Sequence, residues 1–529
     1  MTHRFDGNIA QLLWQTARRR RTCPAVVDHG TTTSYARLLA RAAAVATALV
    51  AAGIEPGDRI AVWLGGGVDT IAAFFGVAAA GGIAVVLTDT LRLRQVAHIL
   101  KDCGVALLLT SADVAGAQLP EVTSRRLLLE DIPSMATFEP VSRLGADPAQ
   151  VVYTSGSTGA PKGVTVTHAN LWAAMQAVTS YLGIGPDDRI AALLPFSFVY
   201  GMSQVLCAVG SGATLVVERS PIANDLVGKL RTRQATVIAA VPPLWLQLLD
   251  APAFRSEPLP SLRIMTNAGG HLPTTAVRGL RVAQPQAHLF LMYGLTEALR
   301  CTYLPPAEVD RHPDSIGRAI PGGEVLVLRD DLTPCDADEV GELVYRGPTV
   351  ALGYWGDSQA TANVFRQHPL RPAGVPDAER VVFTGDLVRR DHEGFLYYVG
   401  RRDGIIKTLG YRVSPDEVGD VIYASGEVAD CVVVAEPDVA RGQRIVAYVV
   451  LAGGGPASGS SSTVAPSCRA TCNRRGSRRA RCCRVCRAGS TISGPSGQSP
   501  RRRAQPRGRS RPQRLRAAAF PIATPPPAP

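Results

Sequence analysis

Lysine is nearly missing from this chain of 529 residues: Lys101, Lys162, Lys229 and Lys407 stand against 52 arginines. No lysine follows Lys407. Acidic residues are missing from one long segment, because residues 452–529 hold 16 Arg and no Lys, Asp or Glu. The formal net charge of +12 therefore resides in the tail, and residues 1–451 carry −4. A body of that charge is not the basic surface of a specific nucleic-acid binder. Cysteine is sparse in the body, with Cys23, Cys103, Cys207, Cys301, Cys335 and Cys431 far apart. That spacing excludes a disulfide framework and fits the reduced thiols of a cytoplasmic protein. The basic run at residues 18–21 has no apolar stretch behind it, which argues against a secretory signal. Residues 70–88 carry no charge and are nearly long enough to span a membrane. Gly81-Gly82 interrupts them, so a buried helix followed by a core strand is expected, and no membrane span.

What is present reads as a large soluble enzyme, with 46% hydrophobic and 19% charged residues. From Ser34 to about Gly270 helical patterns such as ARLLARAAAVATALVAAG alternate with short apolar strands such as DRIAVWL, VALLLTS and TVIAAVPP. This alternation predicts α/β layers with largely parallel sheets. Residues 324–347 are shorter and strand-rich, which predicts a β subdomain. Near Gly400 the pattern restarts as hairpin, helix, strand, strand. Ser414-Pro415-Asp416-Glu417 is a helix start, with a serine cap, proline at the first position and acids in the first turn. The expected class is α/β: a large multi-subdomain N-terminal domain over 1–399, then a small, incomplete α+β C-terminal domain over 400–455.

The strongest chemical signal is Tyr153-Thr154-Ser155-Gly156-Ser157-Thr158-Gly159-Ala160-Pro161-Lys162-Gly163, directly after Val151-Val152. Glycines let backbone amides approach an anion, hydroxyls donate to oxyanions, and Lys162 adds a point charge. It is not the GxxxxGK-Ser/Thr phosphate loop, because the spacing fails and Pro161 precedes the lysine. Four further motifs follow in order: Tyr293-Gly294-Leu295-Thr296-Glu297; Gly341-Glu342-Leu343 with Gly353-Tyr354-Trp355; Thr384-Gly385-Asp386; and Gly400-Arg401-Arg402-Asp403 with Gly410-Tyr411-Arg412-Val413. Together these resemble the AMP-forming adenylating superfamily of acyl-CoA synthetases, luciferases and peptide-synthetase adenylation domains. The resemblance runs from about residue 8 to residue 453 and lies nearest the acyl- or aryl-CoA ligases.

The resemblance implies activation of a carboxylic acid by ATP with Mg²⁺, then transfer to the thiol of CoA or of a carrier protein's phosphopantetheine. Thr154, Ser155, Gly156, Ser157, Thr158, Gly159 and Lys162 would hold the β- and γ-phosphates. Thr296 would contact the α-phosphate and Glu297 would bind Mg²⁺, an ion suited to hard oxygen ligands. Tyr293 with Gly294 would lie against adenine, Asp386 would take the ribose hydroxyls with Arg401 nearby, and Arg412 would sit near the phosphates. Asp403 would be the hinge, and Gly410 would line the tunnel for the thiol. On the acid side, Leu194-Pro195-Phe196-Ser197-Phe198-Val199-Tyr200-Gly201 falls where many relatives carry LPxxHxxG, with Phe198 at the histidine position. Phe198, Tyr200, Asn267 and Ala268, with Gly269 and Gly270, are the candidates for the acid pocket and its nucleotide rim.

The family's small domain continues to a PxTxxGK-like segment whose lysine bridges the acid carboxylate and the α-phosphate; this chain has no lysine there. Residues 456–529 show no periodicity and are rich in Arg, Pro and Cys, so they are expected to form a disordered tail. Out-of-frame translation of a G+C-rich gene produces such a composition. Cys468, Cys472, Cys482, Cys483 and Cys486 do not have the spacing of a standard zinc site. Three functions stay open: an acyl- or aryl-CoA ligase impaired by the missing lysine, a stand-alone enzyme loading an acyl carrier protein, and an inactive nucleotide-binding relic.

Overall fold

The structure, a computed structural model, describes residues 4–115, 125–154, 161–372, 374, 379–402, 404, 406–408, 411–438, 442–451 and 518–520. The chain divides into two compact units, Met1–Tyr398 and Val399–Pro529.

The larger unit is built on two sheets. In one, the strands Pro24–Asp28, Thr214–Val217, Arg189–Ala192, Val237–Ala240, Ile264–Asn267 and His288–Tyr293 run parallel to their neighbours. After Tyr293 the direction reverses. Thr302–Leu304 returns antiparallel, and the sheet continues through Ser315–Ala319, Leu396–Arg401, Arg380–Arg390, Val340–Arg346 and Glu324–Leu328. The strand-rich segment expected as a β subdomain is thus the antiparallel half of a sheet that it shares with the parallel half. The other sheet has seven strands, with Ile83–Leu87, Arg59–Trp63 and Leu107–Thr110 parallel at its centre. Its other side is the antiparallel pair Pro148–Thr154 and Lys162–Thr167, with Thr154 opposite Lys162.

Apolar runs decide which elements go inside. The uncharged stretch becomes the helix Gly67–Ala79 and the fully buried strand Ile83–Leu87, as its composition implied. Phe74 and Phe75 are fully buried there, with ring centroids 5.3 Å apart. The neighbouring helix Tyr35–Ala51 starts where Ser34 accepts the Arg37 N–H at 3.3 Å. No described helix is long and apolar enough to cross a membrane. The six body cysteines are free thiols.

In the smaller unit the hairpin Ile406–Thr408 and Tyr411–Val413 precedes the helix Pro415–Tyr423, which begins at the expected proline. The strands Val428–Asp438 and Gly442–Leu451 follow as a long antiparallel pair. Ala518–Phe520, within the segment expected as tail, pair with residues 445–447 of that second strand. The rest of the tail, including its cysteines, lies outside the described residues.

Removing the Phe75 ring leaves a hole in close-packed surroundings, so Phe75→Ala should lose about 3–5 kcal/mol in denaturant unfolding. Val282→Ala, at an exposed position, should change stability by less than about 0.5 kcal/mol. His168 is fully buried and its Nδ1 accepts the Ile9 N–H at 3.1 Å. Burial, with the Arg143 charge adding to it, pushes its pKa down to about 4. The native ring is therefore neutral while the unfolded ring takes up a proton below roughly pH 6.5. Stability from this group is complete above that pH and is lost as pH falls toward 4, by of order 2–3 kcal/mol. Unfolding at pH 5 should take up about one proton more in the wild type than in His168→Gln.

Candidate active site

Parallel strands carry their carboxyl ends to one edge, and ligands of α/β sheets bind beyond that edge. Three adjacent strands end there: Val237–Ala240 at Val241, Ile264–Asn267 at Ala268-Gly269-Gly270, and His288–Tyr293 at Gly294. The sheet reverses direction at the last of these, so residues 294–301 must turn the chain back within eight residues. The turn is tight. A Cβ on Gly294 would lie 2.9 Å from the Leu299 carbonyl oxygen. Leu299 itself has φ +52° and ψ −61°, and the Arg300 N–H reaches back to the Ala298 carbonyl at 2.5 Å. That is a γ-turn of the strained hand, placed between Glu297 and Arg300.

Two hydrogen-bonded groups hold the motifs together. In the first, the Tyr293 hydroxyl donates to Asp386 Oδ2 at 2.5 Å. Burial, reinforced by the Asp386 charge, holds the phenol's pKa far above its usual range, so the hydroxyl keeps its proton. Asp386 is buried, and its backbone N–H donates to Thr384 Oγ1, whose hydroxyl donates to the Leu343 carbonyl at 2.8 Å. The Gly385 N–H donates to Glu342 Oε1 at 2.9 Å, at a residue with φ +70° that favours glycine. The TGD segment is thereby fixed both to the Glu342-Leu343 strand and to Tyr293.

In the second group, the Tyr354 hydroxyl donates to Glu297 Oε1 at 2.6 Å. The Lys162 ammonium lies 5.4 Å from the centroid of the same ring and 3.9 Å from Asp357 Oδ2. Trp355 N–H donates to the Gly163 carbonyl at 2.7 Å, and Gly353 pairs with Thr165. Tyr354 thus joins the lysine of the Ser/Gly-rich loop to the glutamate of the Tyr-Gly-Leu-Thr-Glu loop. In the sequence Tyr354 stands only as part of a motif, without a role of its own; a tyrosine beside a glycine carries no signal of which acid it will meet.

Other candidates fall as follows. Thr154, Thr296 and Glu297 are half-buried. Thr154 and Lys162 face each other at the mouth of their hairpin; Ser155, Gly156, Ser157, Thr158 and Gly159 lie outside the described residues. Gly269 and Gly270 are exposed beyond the strand end, whereas Asn267 and Ala268 are buried, with Asn267 Nδ2 donating to the Gly270 carbonyl. The Tyr200 hydroxyl meets Thr266, one residue before Asn267, at 2.6 Å. Phe198 is 52% exposed, just before the helix Val199–Ser211. In the smaller unit Arg401 is exposed, and Arg412 stands opposite Lys407 in the hairpin register. Asp403 and Gly410 lie outside the described residues. No cluster of three or more His, Cys, Asp or Glu able to hold a metal occurs among the described residues. A lone carboxylate such as Glu297 still fits Mg²⁺ of the kind completed by substrate phosphates.

The family described as AMP-binding enzyme matches residues 13–355, and the AMP-binding enzyme C-terminal domain matches residues 417–475. The chain belongs to the AMP-binding enzyme family. Novobiocin biosynthesis protein H of Streptomyces niveus is 32% identical over 85% of this chain and 75% of its own length. The L-proline--[L-prolyl-carrier protein] ligase of Pseudomonas fluorescens is 29% identical over 77% of this chain and 82% of its own length. A component of the linear gramicidin synthase of Brevibacillus parabrevis is 31% identical over 84% of this chain; the match spans 9% of that much longer protein. Among solved structures, o-succinylbenzoate CoA synthetase (MenE) from Bacillus subtilis has a TM-score of 0.73 at 26% identity. In its complex with the acyl-adenylate OSB-AMP, 84% of this chain and 89% of MenE are covered. The same enzyme with ATP and magnesium ion gives the same score and covers 83% and 89%. This AMP-binding enzyme has the mixed α/β fold of those proteins, with a large N-terminal and a smaller C-terminal part.

If Asp386 receives the ribose, Asp386→Ala should weaken binding of a nonhydrolysable acyl-adenylate mimic about 10–100-fold in calorimetric titration, the scale of a lost charged hydrogen bond. Tyr293→Phe, which only frees that carboxylate to turn, should weaken it less than about 10-fold. Equal affinity in Asp386→Ala and wild type would remove the ribose assignment.

Proposed function

We propose that this chain is an AMP-forming acid–thiol ligase of the acyl- or aryl-CoA type. A carboxylate oxygen attacks the α-phosphorus of ATP, the bond to the β-phosphate's bridging oxygen breaks, and pyrophosphate leaves. A thiolate then attacks the acyl carbon and AMP leaves. The observation that carries this reading is the Glu297–Tyr354–Lys162 group at the edge where the parallel strands end. Catalysis of phosphoryl transfer is positioning plus charge neutralisation, and this group sets a carboxylate for Mg²⁺ near a cation for departing phosphates. Tyr354 holds the Glu297 carboxylate by one oxygen and leaves the other for the ion. Asp386, held by Tyr293 and Thr384, presents a carboxylate of the shape that takes two ribose hydroxyls. Thr296 would meet the α-phosphate, Phe198, Tyr200, Asn267 and Ala268 the acid, and Arg412 the phosphates. Asp403 and Gly410 would serve as hinge and thiol tunnel.

The alternative acceptor is the phosphopantetheine of a carrier protein, a reading favoured by the similarity to an L-prolyl-carrier protein ligase over most of that enzyme's length. Free CoA and a phosphopantetheinylated carrier, assayed side by side with supplied acyl-AMP, separate the two acceptors.

Residues 408–529 contain no lysine, so the lysine that in the family bridges the attacking carboxylate and the α-phosphate has no counterpart among them. Lys162 does not substitute for it while engaged with the leaving phosphates. Loss of one preorganised charge corresponds to roughly 10²–10³ in rate. Acid-dependent ATP–pyrophosphate exchange should therefore be at least about a hundredfold slower than in a version whose C-terminal frame restores the lysine. Residual activity should be greater for thioester formation from supplied acyl-AMP. Equal exchange rates in the two versions would refute the lysine argument.

A further inference from the structure

Behind the Tyr-Gly-Leu-Thr-Glu loop lies a small cavity between the helices His168–Leu182 and Val199–Ser211 and the strand Pro148–Thr154. It measures about 20 Å³, room for roughly one water. Its walls are mostly apolar, with Met175, Met202 and Leu299 among them, but Gln150 and Arg300 also line it. Gln150 is 2% exposed and Arg300 is 3% exposed. Gln150 Nε2 and Arg300 Nε are buried donors without an acceptor. The Arg300 guanidinium lies 5.0 Å from the centroid of the Tyr200 ring, and it has no carboxylate partner among the described residues.

A buried, unpaired guanidinium is costly, and an aromatic face compensates only a small part of the cost. Arginine does not relieve this by losing its proton. The ionisable side chains around it do not neutralise it either. Burial pushes Tyr200 and Cys207 up to about 12 and holds Tyr181 and Cys301 higher still, so all four stay neutral near pH 7. The nearby acids of the loop and the TGD segment, Glu297 and Asp386, bond to Tyr354 and Tyr293. Two buried donors without acceptors, one of them on a permanent cation, therefore line one cavity, whose other polar side chain is Ser203. The strained turn at Leu299 sets Arg300 there, three residues beyond Glu297. Tyr200, under the guanidinium, reaches Thr266 beside Asn267, among the residues assigned to the acid pocket.

We infer that Arg300 and Gln150 hold a second carboxylate of the acid substrate, so that this enzyme selects a dicarboxylic acid and activates the carboxylate nearer Glu297. The inference rests on the acid-activating reading above and adds its substrate class. The cavity is smaller than a carboxylate, and the unbranched Met175 and Met202 side chains are the walls best able to give way. A bidentate guanidinium–carboxylate pair is also the arrangement that rejects acids lacking the group, because they leave both donors unpaired.

The test compares two nonhydrolysable acyl-sulfamoyl adenosines, one butanoyl and one 4-carboxybutanoyl, by equilibrium titration against the full chain, with ATP titrated in parallel. The wild type should bind the carboxylated mimic at least tenfold more tightly. In Arg300→Met that preference should vanish or reverse, and in Gln150→Leu it should shrink severalfold. The wild-type comparison stands even where a variant fails to fold. Equal affinity for the two mimics, or tighter binding of the butanoyl one, while ATP still binds, overturns the inference and leaves the cavity to a water. Failure of ATP and both mimics to bind overturns the acid-activating reading itself, and the substrate assignment with it.

Discussion

The reversal of the large sheet after Tyr293 is the constraint on which the site depends. Parallel strands deliver Val241, Ala268 and Gly294 to one edge, but none of them could place an acid, an aromatic ring and a cation together without a change of direction. The antiparallel return brings the TGD strand into the same sheet, within reach of the Tyr293 hydroxyl, while Glu297 points to Tyr354 on a segment bound to the other sheet. One turn thus couples both sheets of the larger unit. A change that shifted the Tyr293 backbone by one register step would separate Asp386 from its donor and Glu297 from Tyr354 together.

Much of this is legible in the sequence. The motifs are local, and each carries its backbone instruction in its own residues: glycine at the left-handed Gly385, proline at the start of the helix Pro415–Tyr423, and an uncharged run for the buried helix Gly67–Ala79. The order of the motifs is enough to identify the superfamily. Pairings between distant segments are not legible, because they are fixed by sheet register rather than by neighbours. Nothing in Gly353-Tyr354-Trp355 names Glu297 as the partner, and nothing around Glu342 shows that it accepts the Gly385 N–H. Arg300 is silent in the sequence because one more arginine among 52 carries no signal; its meaning comes from burial without a partner, beside a glutamine 150 positions earlier. The strand-rich segment expected as a β subdomain is joined by hydrogen bonds to the central sheet, a continuity that alternation patterns cannot reveal.

Electrostatically the site divides its labour by burial. The buried tyrosines and cysteines are kept neutral, so the electrostatics of the site rest on Glu297, Asp386, Lys162 and Arg300. Glu297, Asp386 and Lys162 have partners that orient them. Among the described residues the Arg300 guanidinium has only an aromatic face, and that asymmetry separates a group built to receive something from groups built to hold a shape.

The γ-turn at Leu299 has an evolutionary consequence. A leucine held at positive φ stores of order 1–3 kcal/mol that a glycine there would release. Glycine would also remove a side chain that is only 6% exposed and packed in the core, a loss of about 2–5 kcal/mol that outweighs the relief. The residue that strains the turn is thus the residue that fills the space behind it, and one exchange cannot relax the first without emptying the second. Any lineage that loosened this loop would have to repack the neighbouring wall in the same step.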